Sequence, residues 1–424
     1  MTPEVKERIE QLRHGIVPEG YQKTKAGILP KDWSVYTIGE CLERVERPVS
    51  VQPNEMYTQI GIRSHGKGLF YKEPVSGESI GNKAVFWIEP DCFVLNIVFA
   101  WEQAIGKTTQ NEVGMIGSHR FPMYRPTGDT IDIDYLISYL MTKRGKDILE
   151  AASPGGAGRN RTLGQDRFLK SKIILPPLAE QRRIAEILTA QDKVIDLKEK
   201  LLAEKQRQKK HLMQQLLTGK KRLAGFDGEW RSVKLSEVLF ERKEKNANQD
   251  HRICSVAVQK GVVDQIEHLG RSYAAADTSN YGVAHFGDII YTKSPTGDFP
   301  YGIIKQSHMK EAVAISPLYG IYEPTCYELG YLLHTYFSNA ANCLNYLTPI
   351  VHKGAKNTIN ITNDVFVSQK LYLPIDESEQ KALASIFVVA DREIDLLRQD
   401  LEQEKQKKKA LMQLLLTGIV RVNA

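Results

Sequence analysis

The chain repeats itself, and that limits what it can fold into more than any other feature. HLMQQLLTG (211–219) recurs as ALMQLLLTG (410–418), seven of nine positions identical at an offset of 199 residues. Glu180-Gln181 matches Glu379-Gln380, and Ile195-Asp196-Leu197 matches Ile394-Asp395-Leu396, at the same offset. Trp33, Glu40 and Leu42 pair with Trp230, Glu237 and Leu239 at offset 197; Pro126, Phe168 and Pro176 pair with Pro324, Phe366 and Pro374 at offset 198. So small a drift means that one unit was duplicated with few net insertions, and each copy should fold alike.

Each copy reads as a mixed globular segment followed by one long helix. Glu180 to Thr218 contains no Pro or Gly, and Leu188, Ile195 and Leu202 fall seven apart beside Ile187, Val194 and Leu201. Pro176-Pro177 precedes this stretch and Gly219 closes it. Glu379 to Thr417 repeats the seam with Phe387, Ile394 and Leu401. Both helices turn polar in the middle, at 203–211 and 403–410, so neither should be stable alone and the two are expected to pack on each other. The globular segments carry short apolar runs that read as strands, among them AVFWI (84–88), FVLNIVF (93–99), ICSVAV (253–258) and DIIYT (288–292). DYLISYLMTKR (134–144) and YELGYLLHTYF (327–337) have helical spacing, which makes the class α+β or α/β.

Composition narrows the functional classes. Of 424 residues 42% are hydrophobic and 25% charged, which excludes disordered and fibrous chains. No run approaches the ~18 apolar residues of a membrane span, and the N-terminal stretch lacks a signal peptide's apolar core, so a cytoplasmic protein without membrane association is expected. Cys41, Cys92, Cys254, Cys326 and Cys343 are scattered and include no Cys-x-x-Cys pair, so neither a disulfide framework nor a zinc site is signalled.

Three patterns approach catalytic motifs and each lacks an essential group. Gly61 to Lys67 is spaced like a phosphate-binding loop, but Gly68 stands where the magnesium-holding Ser or Thr belongs and the following residues look extended. Asp298-Phe299-Pro300-Tyr301 resembles an amino-methyltransferase signature, with Phe299 in place of its first Pro. Pro90-Asp91 followed by Glu102-Gln103-Ala104 approximates a nuclease metal site, with Ala104 where the lysine should be. The expectation is therefore a chain without catalytic or metal-binding residues.

Recognition remains. The net charge is only +6, and the two globular segments are individually near neutral, so positive charge must act locally. Pro154 to Thr162 presents Arg159, Asn160 and Arg161 in a glycine-rich loop, and His352 to Thr358 presents Lys353, Lys356 and Asn357 in the other copy. Guanidiniums and amides of this kind grip phosphates and reach purine edges, although a merely solvated loop has the same composition. Arg63, His65 and Lys67 in the first copy, and Lys293 and Thr296 in the second, complete the candidate DNA-binding set.

Taken together, the sequence resembles the specificity (S) subunit of type I restriction-modification systems over essentially its whole length. The features that carry the resemblance are the paired units, a Trp near the start of each, the Leu-Pro turns (Leu175-Pro176-Pro177 and Leu373-Pro374), the Glu-Gln helix starts and the Leu-Leu-Thr-Gly closes. GYQKTKAGILPKDW (20–33) and LAGFDGEW (223–230) look like that family's lead-ins, and Ile375-Asp376 replaces the second Pro, which suggests a weaker helix start. The resemblance implies an α+β chain with a lead-in segment (1–30), a first target recognition domain (31–175), a central helix (176–222), a second target recognition domain (223–373) and a C-terminal helix (374–424), the helices forming an antiparallel coiled coil with pseudo-twofold symmetry. It implies a bipartite double-stranded DNA target and docking of two modification subunits and, through them, restriction subunits. Leu188, Ile195, Leu202, Leu212, Leu216, Phe387, Ile394, Leu401, Leu411 and Leu415 are then the candidate partner-binding residues. No cofactor is expected in this chain; S-adenosylmethionine belongs to the modification subunit, ATP and magnesium to the restriction subunit. A duplicated DNA-binding adaptor or regulator, or a coiled-coil scaffold, would share this architecture.

Overall fold

The computed structural model describes all residues except 1, 26, 156–160, 272–273, 354–358 and 423–424. Two compact units emerge: the first comprises 1–198 and 400–424, the second 199–399. Packing thus divides each long helix between the units instead of leaving the helices as separate segments.

The duplication is visible in the strand order. In the first unit a four-stranded antiparallel sheet runs Ile105–Lys107, Phe93–Leu95, Met123–Pro126, Leu42–Val45. The second unit repeats it as Ile304–Gln306, Ile289–Tyr291, Gly320–Pro324, Leu239–Glu241. Register is kept as well, with Pro126 opposite Leu42 and Pro324 opposite Leu239. Each proline ends its strand where no ladder donor is needed. Behind these sheets the repeated Phe168 and Phe366 are fully buried, Phe168 against Phe93 and Tyr124, Phe366 against Tyr291, Tyr322 and Tyr346. Aromatic clusters of this size dominate the burial energy of a small core.

Away from these sheets the units differ. The first completes itself with short pairs, Ile60–Ile62 with Leu69–Tyr71 and Val85–Trp87 with Ile116–Ser118. The second builds another four-stranded sheet in which Arg252–Ala257 pairs parallel with Val313–Ile315. The helix expected over 134–144 breaks in two, Ile133–Leu140 and Lys143–Ala152, because the Thr142 hydroxyl caps the second piece by accepting from Gly145 N. Tyr327–Phe337 is helical as its spacing predicts.

The long helices run Leu178–Leu216 and Glu377–Leu415, 39 residues each, starting and stopping two residues before the sequence-based limits. Asp376 explains the second start. Its carboxylate accepts from Ser378 N at 2.8 Å, so the residue that replaces proline is a cap and the helix start is not weakened. At the other ends Gly219 and Gly418 take φ of +69° and +72°. A side chain at Gly418 would meet Pro30 at 2.8 Å, and one at Gly219 would meet Tyr372 and Trp230 within 3.3 Å, so conformation and space both demand glycine there.

Within each unit the helix segments pair antiparallel. In the first, Asp192 meets Lys408 and Lys198 meets Asp400, one number rising as the other falls. In the second, Lys205 meets Glu393 and Lys209 meets Asp391. The polar stretches that weaken the apolar seam are therefore held by ion pairs. Gln191 donates to Glu404, with Lys198 beside it, and these two hold the Glu404 carboxyl at about 2, far below its ordinary range.

A repeated carboxylate closes each unit. Trp33 Nε1 donates to Glu180 at 3.2 Å, and Arg421 grips the same carboxylate through two nitrogens at 2.8 Å. Trp230 Nε1 donates to Glu379 at 3.0 Å, and Arg222 grips it at 2.8 and 2.7 Å. Both glutamates are almost fully buried. A forked guanidinium and an indole N–H satisfy a charge that would be intolerable alone. The Trp and Glu-Gln motifs are thus two halves of one lock.

Candidate nucleic-acid interface

In the first unit two separately chosen loops meet. Arg63 to Gly68 is the tip of a hairpin between Ile60–Ile62 and Leu69–Tyr71, closed by Arg63 N donating to Gly68 O. A phosphate-binding loop would need a helix there, and this one leads into a strand. His65 adopts φ of +62°, and its N–H donates to Glu102 O at 2.7 Å; Gly66 N donates to Gln103 O, and the Ser64 hydroxyl to the Glu102 carboxylate. The hairpin is therefore seated on the helical turn Ala100–Glu102. Arg161, at the edge of the glycine-rich loop, lays its guanidinium 5.3 Å over the ring of Trp101 in that same turn. Arg159 and Asn160 lie outside the described residues.

Arg63 itself is partly committed, donating to Leu69 O and stacking 5.0 Å over Phe70. His65 and Lys67 are exposed. Trp101 and Glu102 were not singled out in the sequence as recognition residues. Trp101 sits in a run that reads as strand and turn, and nothing local announces that Arg161 comes back to it.

The second unit uses the corresponding connection, after Ile289–Tyr291. Lys293 has φ of +55°, an unfavourable backbone for a residue with a side chain. It is half-buried, its ammonium donates to Asn363 Oδ1 at 2.5 Å, and burial pulls its pKa below the usual lysine range. Asn363 in turn donates to Glu241 at 2.5 Å. Lys293 thus shapes the loop from within. Thr296 is exposed at the tip of the turn that Thr296 and Phe299 close through paired backbone bonds. Lys356 and Asn357 lie outside the described residues, as does the side chain of Lys353, whose backbone pairs with Ile359. In the first unit the loop after this sheet strand meets Arg161 of the basic-Asn loop through Trp101; in the second, the corresponding loop meets Asn363, at the start of the short helix that follows the basic-Asn loop, through Lys293.

The candidate partner-binding residues lie elsewhere. Leu188, Leu216, Phe387, Ile394, Leu401 and Leu415 are buried, and Ile195, Leu202, Leu212 and Leu411 half-buried. Leu188, Leu411 and Leu415 join the first unit's core; Leu212, Leu216 and Phe387 pack together in the second. A heptad seam is consumed by the helix facing it, so these side chains are occupied inside the chain. The apolar residues left exposed on the helices are Val194, Leu197, Leu201, Val388, Val389 and Leu396, of which Leu197 and Leu396 are repeat equivalents.

Among the described residues no cluster of His, Cys, Asp or Glu could hold a metal ion, and no helix is long and apolar enough to cross a membrane. Residues 30–205 match the family described as Type I restriction modification DNA specificity domain. The match takes in the first repeat's globular segment and much of the helix that follows it. Two specificity subunits of Methanocaldococcus jannaschii align with 95% of it: the provisionally assigned one of MjaX, 23% identical with 97% of its length covered, and that of MjaVIII, 24% identical with 96% covered. The crystal structure of a type I S subunit from M. genitalium covers 90% of this chain and 96% of its own, at 11% identity and a TM-score of 0.57. That likeness concerns the fold of the specificity subunit.

Proposed function

We propose that the chain is the non-catalytic, sequence-reading subunit of a type I restriction-modification assembly, each unit reading one half of a bipartite double-stranded DNA target. The observation that carries this reading is one sheet frame, repeated in strand order and register, in two units whose outer parts differ. A common frame with divergent outer parts suits two half-sites of different sequence. Arg63, His65, Lys67, Arg159, Asn160, Arg161, Thr296, Lys353, Lys356 and Asn357 remain the proposed contacts, with Lys293 holding its loop in shape.

In this reading two modification subunits dock on the chain, bring S-adenosylmethionine and methylate adenine after flipping it from the duplex. Restriction subunits, with ATP and magnesium, join through them, and the assembly works in the cytoplasm, where host DNA lies. The docking surface is assigned to the helices, and their exposed Val194, Leu197, Leu201, Val388, Val389 and Leu396 are the apolar groups available to a partner. The linear division into domains at 31–175 and 223–373 is retained for the exchange of recognition segments.

The deciding experiment is methylation-sensitive sequencing of a host that carries this chain with its modification subunit. A bipartite methylated motif is expected. Methylation with one contiguous motif, or none while the subunits co-purify, would refute the reading. A regulator would instead bind an operator without any methyltransferase partner.

A further inference from the structure

The first unit holds a second basic surface, and we infer that it is the principal seat of duplex DNA in that unit, a placement that rests on the DNA-reading function proposed above. It is a groove of about 460 Å³ whose rim carries Lys72, Lys83, His119 and Arg120, with the amides of Gln59 and Asn96 inside. These side chains come from three separate connections: Lys72 just beyond Leu69–Tyr71, Lys83 just before Val85–Trp87, and His119 and Arg120 just beyond Ile116–Ser118. Strand pairing brings them together, since Ile116–Ser118 lies beside Val85–Trp87 and Gln59 bridges to Ile116.

Three observations favour a polyanion. No carboxylate lines the groove. Lys72, Lys83, His119 and Arg120 are all exposed and enter no ion pair or side-chain hydrogen bond among the described residues, whereas Arg63, Arg161 and Lys293 are each tied to a neighbour. Convergent like charges without partners contribute nothing favourable to folding, so their gathering points to a ligand that supplies the negative charge. Finally, the polar groups inside are oriented. Asn96 Oδ1 accepts from Val98 N at 3.1 Å, which leaves its NH2 to donate outward. An amide fixed in that sense selects acceptors on a base edge, such as purine N7, guanine O6 or thymine O4. Phe99, exposed at the groove wall, offers an apolar surface to a thymine methyl group. Phosphates on the rim and a base edge on Asn96 are the division of labour expected of a half-site reader.

The test uses the full chain with its modification subunit and two readouts. The first is the salt dependence of binding to a duplex bearing the methylated motif. Replacing Lys72, Lys83 and Arg120 together by Ala should lower the slope of log affinity against log salt by about 2 to 3, and the charge-preserving set Lys72→Arg, Lys83→Arg and Arg120→Lys should restore it. A slope change of that size belongs to a polyelectrolyte and not to a free nucleotide. The second readout is the motif itself: Asn96→Ala should leave the slope unchanged and relax one position of a single half-site. An Ala triple variant that keeps the wild-type slope overturns the groove as the DNA seat, and an unaltered motif in Asn96→Ala overturns its base-reading role. A wild-type complex with no salt-dependent affinity would instead overturn the DNA-reading function itself.

Discussion

Glu180 and Glu379 are nearly inaccessible carboxylates, and each depends on one arginine that lies far away in the sequence. Stranding a buried charge costs more than any surface ion pair contributes. Arg421→Ala is therefore expected to destabilise the first unit by about 3 kcal/mol and Arg222→Ala the second by a similar amount. Site-resolved hydrogen exchange should show the loss confined to one unit in each variant; equal loss in both units would disprove the separate locks. Trp33 and Trp230 were legible in the sequence as repeated residues, but not as partners of the helix-start glutamates. Chain spacing carries no sign of a contact 147 or 149 residues away. The tie that holds Lys293, offered by the sequence as a DNA contact, was hidden for the same reason: Asn363 lies 70 residues on. The groove residues escaped notice because positions 72, 83, 119 and 120 form no local cluster.

At the scale of elements, the helices were the most legible part, because a seven-residue apolar spacing is a purely local signal. Their ends were less so, being set by capping geometry at Asp376 and by the close approach of Gly219 and Gly418 to aromatic rings. The outer sheets were illegible beyond the existence of strands. Most strands there have three residues, and a parallel pair such as Arg252–Ala257 with Val313–Ile315 joins segments too far apart for periodicity to register. One element makes the second unit acid-sensitive. His334, on the helix Tyr327–Phe337, is half-buried, and its Nδ1 accepts from Gln306 N at 3.0 Å. Burial first, then the nearby Lys305, His308 and Lys209, holds its pKa well below the ordinary histidine value of 6.5. The folded state thus keeps this ring neutral while the unfolded chain takes up a proton as pH falls below about 6.5. Stability is complete above that pH and declines beneath it. His334→Gln should flatten the pH dependence of unfolding of the second unit between pH 6.5 and 5 by about one proton. An unchanged slope would show that other groups dominate.

At the scale of the whole molecule, the repeated frame is kept in strand order, register and lock, while the outer sheets diverge. Exchanging residues 31–175 for those of a relative should accordingly change one half of the methylated motif and leave the other intact. If both halves changed, as read by methylation-sensitive sequencing, the units would not be independent readers.

The second unit is one continuous stretch, 199–399, whereas the first needs 400–424 to complete it. Its lock waits on Arg421, and its core on Leu415 and Leu416. On the ribosome, therefore, the half whose synthesis begins first is finished second. Throughout translation of 199–399 the first unit exposes the core surface that Leu415 and Leu416 will cover, a window for chaperones and proteases that the later-made unit never has.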